Sequence, residues 1–332
     1  MLFPLDEAEK FLKGTAPDLE RRGSTLTFRS HDGVTELSVR ATNYTTYDDL
    51  KVSEEVIVSH RSPRFDQITP QAAANLNAFA SLSSIVPATN DAPGKLVCKT
   101  GIFSADKDAA ARLYAPLLCT EAAVVGWYAA CLGRARFKID PNKSPLSRTN
   151  EHPPYDRADF EAVHALAAKQ DLMASYSEKG FSVEFPWDPG AYSAMFRNEG
   201  LQERARTALK LTDEELEQMG GQTSLLQLLE VDHPLLGKGI QSRLEIPIVV
   251  SRNETTDTRM LAIVSELNLW ELGGLDLPPM FGAWCCGPRA PTFVSFYPTQ
   301  YCLPALLFNL ISWARVRHNR ARQWLGASST KH

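Results

Sequence analysis

The side chains able to ligate a metal or attack a substrate are spread thinly along this chain. Its seven histidines (His31, His60, His152, His164, His233, His318 and His332) form no spaced pair with one another or with a cysteine. The six cysteines (Cys98, Cys119, Cys131, Cys285, Cys286 and Cys302) contain no CxxC pair, and zinc needs ligands at short, regular spacing. They lie among apolar residues and read as reduced thiols acting as small hydrophobes. Neither a G-x-S-x-G nucleophile elbow nor a G-x-x-x-x-G-K-[ST] phosphate loop occurs. Leu236-Gly237-Lys238-Gly239 sits inside a predicted hairpin and reads as a turn. Asp213, Glu214, Glu215 and Glu217 read as the solvated face of a short helix rather than paired catalytic carboxylates. The expectation is a non-enzyme with no metal, cofactor or catalytic residue.

What remains is suited to binding. Trp284, Phe293, Phe296 and Tyr297 fall on one predicted hairpin. Exposed together they would make an aromatic surface able to hold a peptide; turned inward they would fill the core under the last helix. Arg315, Arg317, Arg320 and Arg322 crowd that helix, and Arg315 and Arg322, seven apart, share a side. They would hold an acidic partner, or else form a solvated face with favourable charge at a helix C-terminus.

These residues must be positioned by a chain of 332 residues, about two domains' worth. Hydrophobic residues make up 44% and charged residues 22%, ordinary for a chain that buries a core. The net charge of -4 gives no basic field, so nucleic acid and anionic membrane are not expected partners. The opening MLFPLDEAEKFLKG has early acids and no long apolar run, unlike a secretory signal. The apolar run 302–314 contains Pro304 and Asn309 and falls short of the roughly 20 residues that span a bilayer. A cytoplasmic location is expected.

The organising feature is a repeat. FGAWCCGPRAPTFVSFYP leads into the apolar helix YCLPALLFNLISWARVRHNRARQWL, and KLVCKTGIFSADKD leads into AAARLYAPLLCTEAAVVGWYAACLGRARF. Both predicted helices carry an early proline (Pro304, Pro116), then Trp, six residues, and Arg-Ala-Arg. Residues 138–156 hold four prolines without apolar periodicity and read as a linker. The organisation is therefore a first αβ domain at 1–137, the linker, and a second αβ domain at 157–332 with an insertion at 186–221.

Within the first domain the pattern predicts a short helix capped by Asp6 and Glu9, a hairpin of TLTFRS and TELSVRAT, and a strand over 51–60. A helix from Pro70 to about residue 84 and two short strands near 95–99 and 102–105 complete it. The second domain predicts a helix at 157–172, strands at 181–185 and 223–231, a strand ending RLEIPIVVSR, and a helix at 258–272. The fold class is α+β: two tandem copies of an α-β-β-β-α-β-β-α unit with antiparallel sheets.

That order, with VIVSH…ANLNAFASL…KLVCKTGIF answered by IVVSR…LAIVSELNLW…FGAWCC, resembles the type III secretion chaperones (the Tir chaperone class) and the related YbjN-like proteins. The likeness covers 23–132 and 181–325. It implies helices packed on one face of each sheet, pairing of two units, and partner polypeptides wrapped along apolar surface. With both copies in one chain, it implies a monomer with a built-in pseudo-dimer. The insertion at 186–221 departs from the family pattern. The implied function is a chaperone-like protein- or peptide-binding module. The competing readings are an enzyme with its site between the halves, which requires a polar pocket there, and a structural subunit, which requires a broad apolar patch.

Overall fold

The structure, a computed structural model, describes residues 3–14, 16–30, 33–45, 51–80, 82–103, 155–170, 172–177, 180–186, 223–233, 237–247, 256–273, 280–288, 290–299, 302 and 306–329. The predicted helix at 108–132, the insertion at 187–221 and most of the proline-rich linker lie outside these residues.

The first half opens with helix α1 (Leu5–Lys13), followed by strands β1 (Glu20–Arg22), β2 (Thr25–Ser30), β3 (Gly33–Thr45) and β4 (Lys51–Arg61). Helix α2 (Pro70–Ala80) then leads to β5 (Ser84–Val86) and β6 (Lys95–Phe103). The second half runs α3 (Arg157–Lys169), β7 (Met173–Ser177), β8 (Gly180–Pro186), β9 (Thr223–His233), β10 (Gly237–Glu245), α4 (Thr256–Gly273), β11 (Ala283–Cys286), β12 (Pro291–Pro298) and α5 (Leu306–Ser329). The fold is α+β, with two antiparallel six-stranded sheets and, among the described residues, five α-helices. The sheet orders are β1-β2-β3-β4-β6-β5 and β7-β8-β9-β10-β12-β11, so the two sheets resemble a duplicated unit.

Each half carries one strand more before its central helix than the α-β-β-β-α-β-β-α pattern allows. The extra strands are β1 and β7. Glu20-Arg21-Arg22 is charged throughout and shows no alternation, so periodicity cannot reveal it; a two-residue turn with Gly23 at φ 61° folds it back onto β2. The central helix of the first half also stops at Ala80, short of residue 84, because Ser84–Val86 pairs with β6 as a strand. Residues 95–103 form one strand rather than two.

Local chemistry accounts for the helix starts. Asp156 and Asp159 form a reciprocal capping box on α3, with bonds of 3.0 and 2.9 Å. At α1 the expected box is absent: Asp6 and Glu9 both turn to Arg21 on β1, at 2.5 and 2.8 Å. On β9 buried residues alternate with half-buried ones, as on a sheet with one face in the core. All eight positions of β12 are buried, so that strand is covered on both faces.

The last strands of the two sheets, β5 and β11, meet with α2 and α4, and α2 packs against β11 as well as β5. Asn77 Nδ2 on α2 donates to Trp284 O on β11 at 3.4 Å, and Ser84 Oγ on β5 donates to Asn268 Oδ1 on α4 at 3.2 Å. Most of the buried apolar residues of both halves belong to one continuous core.

Candidate functional site

Ionisable side chains converge where the halves join. The route begins at an irregularity in β4. The register against β6 shifts between Val52 and Glu54, which buries two successive acids, Glu54 and Glu55. Side chains of successive strand residues point to opposite faces, and the two acids have separate partners. Glu54 Oε2 accepts the Phe3 backbone N–H at 2.7 Å and ties down the start of the chain. Glu55 accepts a hydrogen bond from Arg40 Nε on β3.

Next along the row is Lys99 on β6, also buried. Its Nζ lies 4.0 Å from Glu55 Oε1 and 3.8 Å from Glu271 Oε2, and donates to the main-chain carbonyl of Glu271 on α4. This hydrogen bond crosses from the first half to the second. Glu271 is held by Arg317 on α5 through two bonds of 2.8 Å, Nε to Oε1 and Nη2 to Oε2. Such a bidentate pair is among the stronger hydrogen-bonded contacts in proteins. Trp284 Nε1 also donates to Glu271 Oε1, at 3.2 Å. The Arg317 guanidinium stands 4.6 Å from the centre of the Phe293 ring, a cation–π distance.

Burial decides what this cluster can do. Lys99, Glu55 and Glu271 are all more than nine-tenths buried, and the Arg317 side chain is fully so. The convergent ionisable groups that an enzyme between the halves would need are present, but they are packed shut against substrate. Desolvation is the largest influence on the Lys99 amine and, with the two arginines, leaves it below its usual range against the pull of the two carboxylates.

The aromatic residues picked out from the sequence lie elsewhere than on a surface. Trp284, Phe293, Phe296 and Tyr297 are each at most 1% exposed, so they form no exposed patch in this structure. Trp284 and Phe293 meet edge to face at 5.4 Å, and Tyr297 packs on Phe281 at 5.7 Å. Phe296 lies over Gly239, where a Cβ would stand 2.5 Å from its ring, and its ring centre is 4.9 Å from that of His233. Burial pushes the His233 imidazole down to about 4. Of the arginines, Arg317 is buried in the junction and Arg320 is exposed. Arg315 borders a hollow between α3 and α5 lined by Leu166, Ala167, Phe308 and Ile311. That hollow has a volume of about 20 Å³, room for a water but far below a ligand pocket. The side chain of Arg322 lies outside the described residues.

Among the described residues Cys98, Cys285, Cys286 and Cys302 form no disulfide, and burial raises Cys285 to about 12. No group of three histidine, cysteine or acidic side chains stands close enough to hold a metal among the described residues. None of the described helices is long and apolar enough to cross a membrane.

The outer edges of the two sheets differ in chemistry. β1 ends the first sheet with three charged residues. β7 ends the second with Met-Ala-Ser-Tyr-Ser, carrying no charge, and Met173 and Tyr176 are 43% and 37% exposed. Helix α3 packs beside β7, where His164 Nε2 donates to Ala174 O at 3.1 Å and its ring meets Tyr176 edge to face at 5.3 Å. Tyr176 Oη donates to Glu161 on the same helix at 3.3 Å.

No protein-family model matches the chain, and no match was found among the curated proteins or the solved structures.

Proposed function

We propose that this protein is a non-enzymatic polypeptide-binding module, chaperone-like in build, which takes a partner segment as an added strand on β7. The observation that carries the reading is the contrast between the two outer edges. An edge strand presents unpaired backbone groups, and proteins blunt such edges by shortness and by charge. β1 has both protections, with three residues, all charged. β7 has neither, with five uncharged residues and two large exposed side chains, although among the described residues α3 takes one of its outward groups, Ala174 O. An extended segment laid beside β7 gains main-chain hydrogen bonds, and Met173 and Tyr176 add apolar contact. The partner that fits is an extended, uncharged stretch of another polypeptide.

The likeness to secretion chaperones and YbjN-like proteins enters the proposal through element order: in each half a helix, a run of strands, a helix, two strands and, in the second half, a closing helix. On this reading the two halves are copies of one unit fused into a monomeric pseudo-dimer. Cys98, Cys285, Cys286 and Cys302, in no disulfide, suit a reducing, cytoplasmic setting.

The test is peptide selection against the full chain, repeated on Ala174→Pro. Paired strand residues alternate between bonding the neighbour and pointing away. Ala174 O is taken by His164 on α3, which places Ala174 on the outward-pointing set. Proline there removes an outward donor while leaving the β7–β8 ladder. Peptides that bind the wild type and lose at least about tenfold on the variant support the proposal. Peptides that bind both equally, or none at all, overturn it.

A further inference from the structure

The junction holds three cations, Arg40, Lys99 and Arg317, against two carboxylates, Glu55 and Glu271. Each carboxylate already has its own arginine at hydrogen-bonding distance. Lys99 has neither carboxylate to itself: its Nζ stands 4.0 and 3.8 Å from them, and its hydrogen bond goes to a main-chain carbonyl. A neutral amine also donates to that carbonyl, though more weakly than an ammonium. One proton therefore separates two arrangements of a junction that is buried at Lys99, Glu55, Glu271 and Arg317 and open to solvent at Arg40. Without it the junction is two balanced arginine–glutamate pairs and a neutral donor. With it the junction carries one positive charge in excess, counting Arg40, whose side chain is half exposed.

We propose that Lys99 is the proton-sensitive part of a lock between the two halves. Among the described residues, the charged groups facing its Nζ are Glu271 from α4, Glu55 from β4, Arg317 from α5 and Arg40 from β3. Burial is the largest influence and favours the neutral form; the carboxylates oppose it and the two arginines reinforce it. The folded-state value thus lies below the 10.5 of an unperturbed lysine. Between the two values the unfolded chain binds more protons, so stability rises with pH across that window. Protonation loosens the attachment of the first sheet to α4, and deprotonation tightens it. The inference is independent of what β7 binds.

The experiment is a pH titration of the full chain labelled with ¹³C at the lysine ε-carbon, with urea unfolding measured over the same range. One lysine resonance should titrate below all the exposed ones and be missing from Lys99→Met. Wild-type unfolding free energy should rise through that window, while Lys99→Met, which keeps the aliphatic stem, should lose that rise. All lysine resonances titrating together would overturn the proposal, and that result is readable on the wild type whether or not the variant folds. An unchanged pH slope in a folded Lys99→Met would overturn it equally.

Discussion

Asn77 and Asn268 do the same work in the two halves. Asn77 Oδ1 accepts from Ile85 N at 2.7 Å, and its Nδ2 donates to Ile85 O at 3.4 Å. Asn268 Oδ1 accepts from Trp284 N and its Nδ2 donates to Trp284 O, both at 2.9 Å. A side-chain amide carries the same donor and acceptor as a peptide group, so each asparagine stands in for a missing strand at the end of its sheet. Both are buried, and their bonds also cross between the halves. The corner where the sheets meet is therefore closed by side chains rather than by a continuous ladder.

Replacing Asn268 with alanine tests this. The Trp284 amide would be left buried without its partner, and its carbonyl would keep only the longer bond from Asn77. The expected loss is about 3 kcal/mol of unfolding free energy by urea titration. Asn77→Ala should cost less, since one of its two bonds to Ile85 is already 3.4 Å long. Equal and negligible costs would mean that the asparagines merely fill space.

The asparagines lie within the repeated stretches ANLNAFASL and LAIVSELNLW, so periodicity reached the right segments but not the bonds. Apolar alternation located β2, β3, β9 and the closing hairpin, because a half-buried sheet imposes period two. It missed β1, whose three residues are all charged, and β7, a short and mostly exposed Met-Ala-Ser-Tyr-Ser with no buried face. The junction was the least legible part. Lys99 and Glu271 are single charges in otherwise apolar stretches and Glu55 is the second of two acids, and nothing local distinguishes them from surface residues. Their burial is set by a shifted register in β4 and by the approach of the other half. Hydrophobicity marked Trp284, Phe293, Phe296 and Tyr297 clearly, but does not say which way an aromatic side chain faces.

Gly23 gives a cleaner prediction. Its φ of 61° closes the turn between β1 and β2, and a Cβ there would meet nothing within 4 Å. Only backbone strain separates the variants. Gly23→Ala should lower stability by about 1 kcal/mol, and Gly23→Asn by less, since asparagine visits the left-handed region more readily. Thermal unfolding of the two variants side by side decides it; an alanine variant as stable as wild type would show that β1 contributes nothing to the fold.

His233 makes stability depend on mild acid. Burial beside Phe296 holds its value at about 4, against 6.5 for an unperturbed histidine. Between these the unfolded chain binds the extra proton, so stability falls as pH drops below 6.5 and levels off near 4. The full difference corresponds to about 3 kcal/mol. His233→Gln should flatten this part of the curve of unfolding free energy against pH. A wild-type curve level from pH 7 to 4.5, or an unchanged slope in the variant, would remove His233 as the cause.

Glu271 and Arg317 decide whether the junction is there for stability or for uniqueness. Breaking a buried pair from one side strands a charge, so Glu271→Gln or Arg317→Met alone should cost about 3–5 kcal/mol. Glu271→Gln should also perturb the environment of Trp284, whose indole N–H it holds at 3.2 Å, visible as a change in near-ultraviolet circular dichroism. Removing both charges is different. Glu271→Leu with Arg317→Met leaves no stranded partner between them, and buried ion pairs replaced by apolar residues of similar size often lose nothing. Here, however, Lys99 loses its nearer carboxylate. The double variant should recover stability only when Lys99 is also made neutral, as in the triple variant with Lys99→Met. Recovery in the double variant alone would show that Lys99 carries no charge at neutral pH once Glu271 and Arg317 are gone. Failure of the triple variant to recover would show that the packing of Arg317 on Phe293, at 4.6 Å, matters more than its charge.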